Sequence, residues 1–356
     1  MGSKITLFLL FLLPVVVFPI GASFFETPKV ILAQIGILVL IFTAKNLQNI
    51  NQLFAALVTL LILVILLNPS LYQNLQTLFG NSIRLQGAFT FILLLIFAVI
   101  SSKDSLKIPQ ILPVFTLVAL GLSALILGGN EEGRVFGTLG APNVLAATAV
   151  FILPFTLKHQ NFKLKLTYIA IVLLIIVLSA SRSGLFALII ISAFLMMVYK
   201  LKTGTKLAAI LAIILIIATQ TLPFLEKPKL FESRKEIWQT AVVAGFDSPI
   251  IGAGFGNTQQ ALVKASENLN NNIRFQSIDS SHNILLDFWV QGGSLGLVLL
   301  ITIISISIVR LIKKQENTIL SSYLAILTAL MFNPLSIVNL IGFFWVVGQG
   351  FKKWYN

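Results

Sequence analysis

The sequence predicts an all-α polytopic membrane protein: about twelve transmembrane helices in a single domain over residues 1–356, with one long outer loop that carries short amphipathic helices. Three observations predict it. Of the 356 residues 57% are hydrophobic and 10% charged, against roughly a quarter charged in an average soluble domain. Mean hydropathy is +0.96. Apolar runs long enough to cross a bilayer recur from residue 5 to residue 350, more of them than a water-soluble core could absorb. The absence of cysteine removes disulfide frameworks, thiolate metal sites and cysteine nucleophiles together. A net charge of +13 would point a soluble protein toward nucleic acid. In a chain of this composition it is read through the loops, and membrane lipids, not nucleic acid, are the expected surroundings.

Candidate spans fall at residues 5–21, 28–44, 52–68, 86–101, 108–127, 142–157, 166–181, 184–199, 207–222, 283–309, 318–334 and 337–350. The first follows Lys4 and ends in Gly21-Ala22-Ser23, like a secretory signal; Pro14, Pro19 and the immediate onset of another span read instead as an uncleaved helix. With the N-terminus inside, fifteen of the 25 basic residues lie in cytoplasmic segments, whereas the short outer loops hold only Lys29, Arg84, Arg134 and Arg182. Lysine and arginine in short loops mark the cytoplasmic side. Both termini are therefore expected in the cytoplasm and residues 223–281 outside, between the ninth and tenth spans. Of the fifteen cytoplasmic basic residues only Arg310 is arginine, while five of the outer ten are: Arg84, Arg134, Arg182, Arg234 and Arg274. Lysine suffices for topology, but the guanidinium fork grips phosphate or carboxylate oxygens in pairs. The alternative is interfacial snorkelling.

The outer segment is too long for a connector and too small for an independent core, so it must work against the bundle. Its first part, 230–245, reads as a helix: Leu230, Phe231, Ile237, Trp238, Ala241 and Val242 share a stripe, with Glu232, Lys235, Glu236 and Gln239 opposite. Arg234 sits on the apolar stripe one turn before Trp238. The run 268–272 reads as a loop.

Of two histidines, His159 lies in a basic loop and reads as solvated, whereas His282 stands at the outer mouth of the tenth span. It is a general base for a hydroxyl nucleophile or an interfacial helix-start residue. Arg182, in the tight link Ser181–Gly184 between two apolar stretches, is an interfacial anchor or an anion clamp. Arg134 and the helix start at Pro142-Asn143 would favour a phosphate. Asp287, one turn inside the tenth span, could pair with an arginine or join a site. The glycines of Gly252–Asn257 have no strand-helix-strand context and read as a turn. No histidine or carboxylate spacing suits a metal, and neither metal nor cofactor is expected.

The collinear motifs "RLQG" (84–87), "GTLGAPNVLA" (137–146), "SRSG" (181–184), "ESRKEIW…SPIIGAGFGN" (232–257) and "SHNILLDFWVQGGSLG" (281–296) resemble the O-antigen ligase and polymerase family of bacterial cell envelopes. The resemblance implies a metal-independent membrane glycosyltransferase of the GT-C type in the bacterial inner membrane. Such an enzyme moves a glycan from an undecaprenyl-pyrophosphate carrier to a glycan or lipid-linked acceptor hydroxyl on the outer face. It further implies that Arg182 and Arg234 hold the donor pyrophosphate and that His282 is catalytic. Arg84 is a weaker match, and Arg134, Asn143, Trp238, Asn283 and Asp287 are supporting candidates. Protein O-glycosylation would use the same donor chemistry. A solute transporter, for instance of inorganic carbon, shares the twelve-span layout; against it, no paired halves are visible and polar residues gather at one membrane face instead of the midplane.

Overall fold

The computed structural model describes residues 2–44, 50–103, 106–129, 133–198, 234–269 and 278–353. Among them are fifteen α-helices: α1 (Gly2–Leu7), α2 (Thr27–Thr43), α3 (Gln52–Leu66), α4 (Ser70–Gln73), α5 (Leu75–Phe79), α6 (Ala88–Ser101), α7 (Ile111–Ile126), α8 (Pro142–Thr156), α9 (Phe162–Ser179), α10 (Arg182–Val198), α11 (Arg234–Phe246), α12 (Thr258–Asn268), α13 (Ile284–Lys313), α14 (Asn317–Leu330) and α15 (Ile337–Phe351). The described β structure is one isolated bridge, Gly129 to Val135. Eleven of the twelve expected spans have a matching helix. The ninth, 207–222, lies outside the described residues, as do Arg274, Leu230, Phe231 and Glu232.

Among the described residues two helices are long and apolar enough to cross a membrane alone, α9 with 18 residues and α13 with 30; nine further apolar helices have 10–17. Burial sorts them. Every residue of α15 and every one from Val144 to Thr156 in α8 is buried, as helices apolar on all sides must be when they form the centre. Around them α2, α7, α9 and α13 turn Phe42, Leu125, Leu166 and Val298 outward, a surface that water would penalise and lipid accepts. The protein is thus a helical membrane protein.

Three sequence expectations change. The first span is helical only to Val15, because Pro14 sits in a 3-10 turn and Val16 is extended. The link between the seventh and eighth spans is shorter than Ser181–Gly184: Ala180 closes α9 in the left-handed region (φ 45°, ψ 41°), and α10 already begins at Arg182. On α11, Val242 is exposed, and the buried face is Ile237, Thr240, Ala241 and Ala244.

Residues 234–269 pack against the bundle. Ile237, Ala241 and Ala244 of α11, Leu262 and Ala265 of α12, Ile278 ahead of α13 and Val290 within it form a small separate core. The base for it is a break in α13, where Gly293 leaves the helix (φ 60°, ψ −160°). There Ser294 and Leu295 donate their N–H groups to the Pro249 and Ile250 carbonyls at 2.8 and 3.2 Å, and Ala253 N–H donates to Val290 O at 2.8 Å. The glycine turn at 252–257, with positive φ at all three glycines, therefore satisfies a broken helix, a common need for buried backbone.

Candidate active site

Helix direction brings one end of the bundle together: the starts of α8, α10, α11, α13 and α15 and the ends of α9 and α14. The elbow between α9 and α10 is tied by Ser181, whose Oγ accepts the Gly184 N–H at 3.1 Å. An ideal Cβ on Gly184 would lie 2.5 Å from the Ala146 Cβ, so only glycine lets the first turn of α10 press on α8. Arg182 is left exposed at the first position of α10. Across the elbow Arg134 donates from Nε to Ser179 O at 3.0 Å and from Nη2 to Asn143 Oδ1 at 2.7 Å, which fixes it beside the start of α8.

Arg234 is the first residue of α11. Its Nη1 and the Trp238 Nε1 one turn later are both buried without a hydrogen-bond partner among the described residues. The Trp238 ring lies 6.0 Å from Phe332, and Phe186, one turn after Arg182, stacks on the other side of Phe332 at 5.9 Å. Asn333 donates to the Asn143 carbonyl at 3.4 Å. The turn after α14 thus joins the starts of α8, α10 and α11, and burial together with Arg134 and Arg182 lowers the pKa of Arg234.

His282 sits in a built cradle. Asp287 accepts Ser280 Oγ and the Ser281 N–H, each at 2.7 Å, and Ser280 Oγ in turn accepts the His282 N–H at 3.0 Å. Asn283 accepts from Leu285 N at 2.9 Å and caps α13. His282 itself takes φ 59°, a strained conformation that its surroundings must impose. No hydrogen bond reaches its ring among the described residues. Burial first, then Arg234 and Arg84, push its pKa down to about 4 against the pull of Asp279, so the imidazole is neutral at physiological pH.

Arg84 is engaged differently from Arg182 and Arg234. It pairs through Nε with Asp279 and donates from Nη1 to Leu335 O at 2.6 Å, while Asn81 supports Asp279 at 3.1 Å. A cavity of about 30 Å³ lies beside this pair, room for a water or two. Asn283 and Asp287 hold the backbone in place, and Asp287 also lines this cavity.

Sequence reasoning passed over Phe332 and Asn333, although Asn333-Pro334 is a turn signal at the right end of the bundle. Asp279 was passed over as well, since its partner Arg84 is 195 residues away. No curated protein matches the chain. Residues 167–301, which include Arg182, Arg234 and His282 and exclude Arg84, Arg134 and Asn143, match the family model described as O-antigen ligase, and this segment belongs to the O-antigen ligase family.

Proposed function

We propose that the chain transfers a glycan from an undecaprenyl-pyrophosphate donor to an acceptor hydroxyl on the outer face of the cytoplasmic membrane, as an O-antigen ligase or polymerase. One observation carries the reading: three arginines stand at three helix starts. Arg182 opens α10, Arg234 opens α11, and Arg134 is bound to the second residue of α8. A helix N-terminus is already positive, so a cation there is misplaced for stability. The arrangement makes sense when an anion sits among them, because amides and guanidinium forks then converge on its oxygens.

In this reading Arg182 and Arg234 hold the pyrophosphate, with Arg134 adding charge from the side. His282 Nδ1 or Nε2 accepts the acceptor hydroxyl proton as the new glycosidic C–O bond forms. The bond from the sugar carbon to the phosphate oxygen breaks, and undecaprenyl pyrophosphate leaves with the electron pair. The arginines neutralise that departing charge, so no divalent metal is required. Arg84 acts through Asp279 and positions the His282 loop. General-base removal costs about 10²- to 10⁴-fold in rate, so His282→Ala should lose turnover by that factor and still bind the donor lipid as the parent does. Turnover near the parental rate would overturn the assignment.

A further inference from the structure

The opposite end of the bundle holds a second concave site. α13 runs from the His282 loop through its break at Gly293 to Lys313, the part beyond the break alone spanning about 30 Å at 1.5 Å per residue, and ends beside a cavity of about 240 Å³ lined by Lys107, Lys158, Lys314, Lys352, Trp345 and Glu316, among others. Four ammonium groups from four separate segments meet one carboxylate there. None of the four lysines forms an ion pair among the described residues.

Two features distinguish this from lysines that merely mark topology. Trp345 is only 1% exposed, and its Nε1 is buried with no acceptor among the described residues, although buried indole N–H groups normally find one. Lys314 is already anchored: its Nζ donates to the carbonyls of Gln349, Gly350 and Lys352 at 3.2, 3.1 and 2.7 Å, closing the end of α15. Burial, then Arg310 and Lys352, lower its pKa to about 8. A fixed cation is held where cations repel it, beside an unused donor and three further lysines.

We propose that this cavity binds a phosphate group, supplied by the headgroup of an anionic lipid or by a free phosphate anion. Lys107, Lys158 and Lys352 supply the charge, Trp345 a directional hydrogen bond, and Lys314 the fixed floor. The site is remote from the arginine cluster and independent of the glycosyl-transfer reading. Basic pockets between transmembrane helices are suited to such headgroups.

The test uses the full chain, purified and stripped of lipid. In one arm it is returned to nanodiscs of phosphatidylcholine with or without phosphatidylglycerol, and retained lipid is counted by native mass spectrometry. In the other, inorganic phosphate is titrated into detergent-solubilised protein by calorimetry. Removing two ammonium groups with Lys158→Gln plus Lys352→Gln should weaken binding roughly 30-fold. Preferential retention of phosphatidylglycerol that this pair abolishes identifies a lipid source; phosphate binding that the pair abolishes, without lipid preference, identifies a soluble one. Equal behaviour of parent and variant in both arms overturns the proposal. Should the double variant fail to fold, Trp345→Phe decides: it keeps an aromatic ring beside Phe155, 6.0 Å from the indole, and deletes the donor together with the pyrrole half of the indole. It should weaken the same ligand severalfold, and unchanged affinity for both probes overturns the site.

Discussion

Replacing Arg234 by glutamine should make the protein more stable and less active at once. In the ligand-free protein Arg234 stands at the positive end of α11 with Nη1 buried and unpartnered among the described residues. A misplaced cation at a helix terminus costs about 0.3–1 kcal/mol, and a buried donor left unsatisfied about 1–3 kcal/mol. Repulsion from Arg134 and Arg182 adds to both. Against this stands the packing of the arginine stem near Trp238, worth about 1 kcal/mol. The net expectation for Arg234→Gln is a gain of about 1–2 kcal/mol, seen as a rise of a few degrees in Tm in detergent. Donor use moves the other way, because a hydrogen bond to a charged group is worth about 1.5–3 kcal/mol, which is roughly a 10- to 100-fold loss in kcat/KM. Arg234→Lys should keep the low stability of the parent and lose the paired grip. Ligand linkage gives an independent check: the undecaprenyl-pyrophosphate donor should raise the parental Tm and leave that of Arg234→Gln nearly unmoved. A fall in Tm for Arg234→Gln, or full activity in Arg234→Lys, would refute the reasoning and make Arg234 a packing residue.

Other perturbations read the same site. The folded pKa of His282, about 4, lies below its ordinary 6.5, so the unfolded chain binds the extra proton between those values. Its stabilising contribution is therefore complete above pH 6.5 and is lost as pH falls toward 4, by at most about 3 kcal/mol; subtracting the curve of His282→Gln from that of the parent should isolate this slope from opposing carboxylates such as Glu26. Asp279→Asn leaves the Arg84 guanidinium short of its partner and should cost about 3–5 kcal/mol in denaturant unfolding, whereas adding Arg84→Gln should recover part of that loss. For topology, the chain has no cysteine, so Lys264→Cys and Lys163→Cys can be labelled alone. An impermeant thiol reagent applied to intact cells should reach the first and spare the second, and the reverse pattern would invert the orientation.

The helices were legible because lipid and core make the same demand on composition, so eleven spans could be placed from apolar runs alone. Their ends were less so. Ala180 has a side chain that disfavours the left-handed region, and nothing local announces that it closes α9; the requirement comes from Ser181, Gly184 and the contact with Ala146. Val242 was misplaced because a helical stripe shows a period and not which neighbour will cover it. At the site, Arg182, Arg234 and His282 could be singled out by residue type and membrane side. What they share could not: Phe332 and Asn333 connect the helix starts by tertiary contact, and Arg84 finds Asp279 across 195 residues.

The carboxylates at this end of the bundle are engaged elsewhere than at Arg182 and Arg234 among the described residues. Glu26 accepts the Ile337 N–H at 2.7 Å and the Ser336 hydroxyl at 3.1 Å, capping the start of α15. Asp279 holds Arg84 and Asn81. Asp287 is saturated by Ser280 and Ser281, and Asp247 pairs with Lys264. Each of these acids has an occupation inside the fold, and none forms an ion pair with Arg182 or Arg234 among the described residues. In the function proposed above, the charge that compensates those two arrives with the substrate. Its arrival also changes His282, whose proton affinity is held down by burial and by Arg234 and Arg84. An anion over Arg234 removes part of that repulsion and raises the basicity of the imidazole. In the proposed mechanism His282 is therefore a stronger base with the donor bound than without it, which favours proton removal from an acceptor hydroxyl when there is a pyrophosphate to displace.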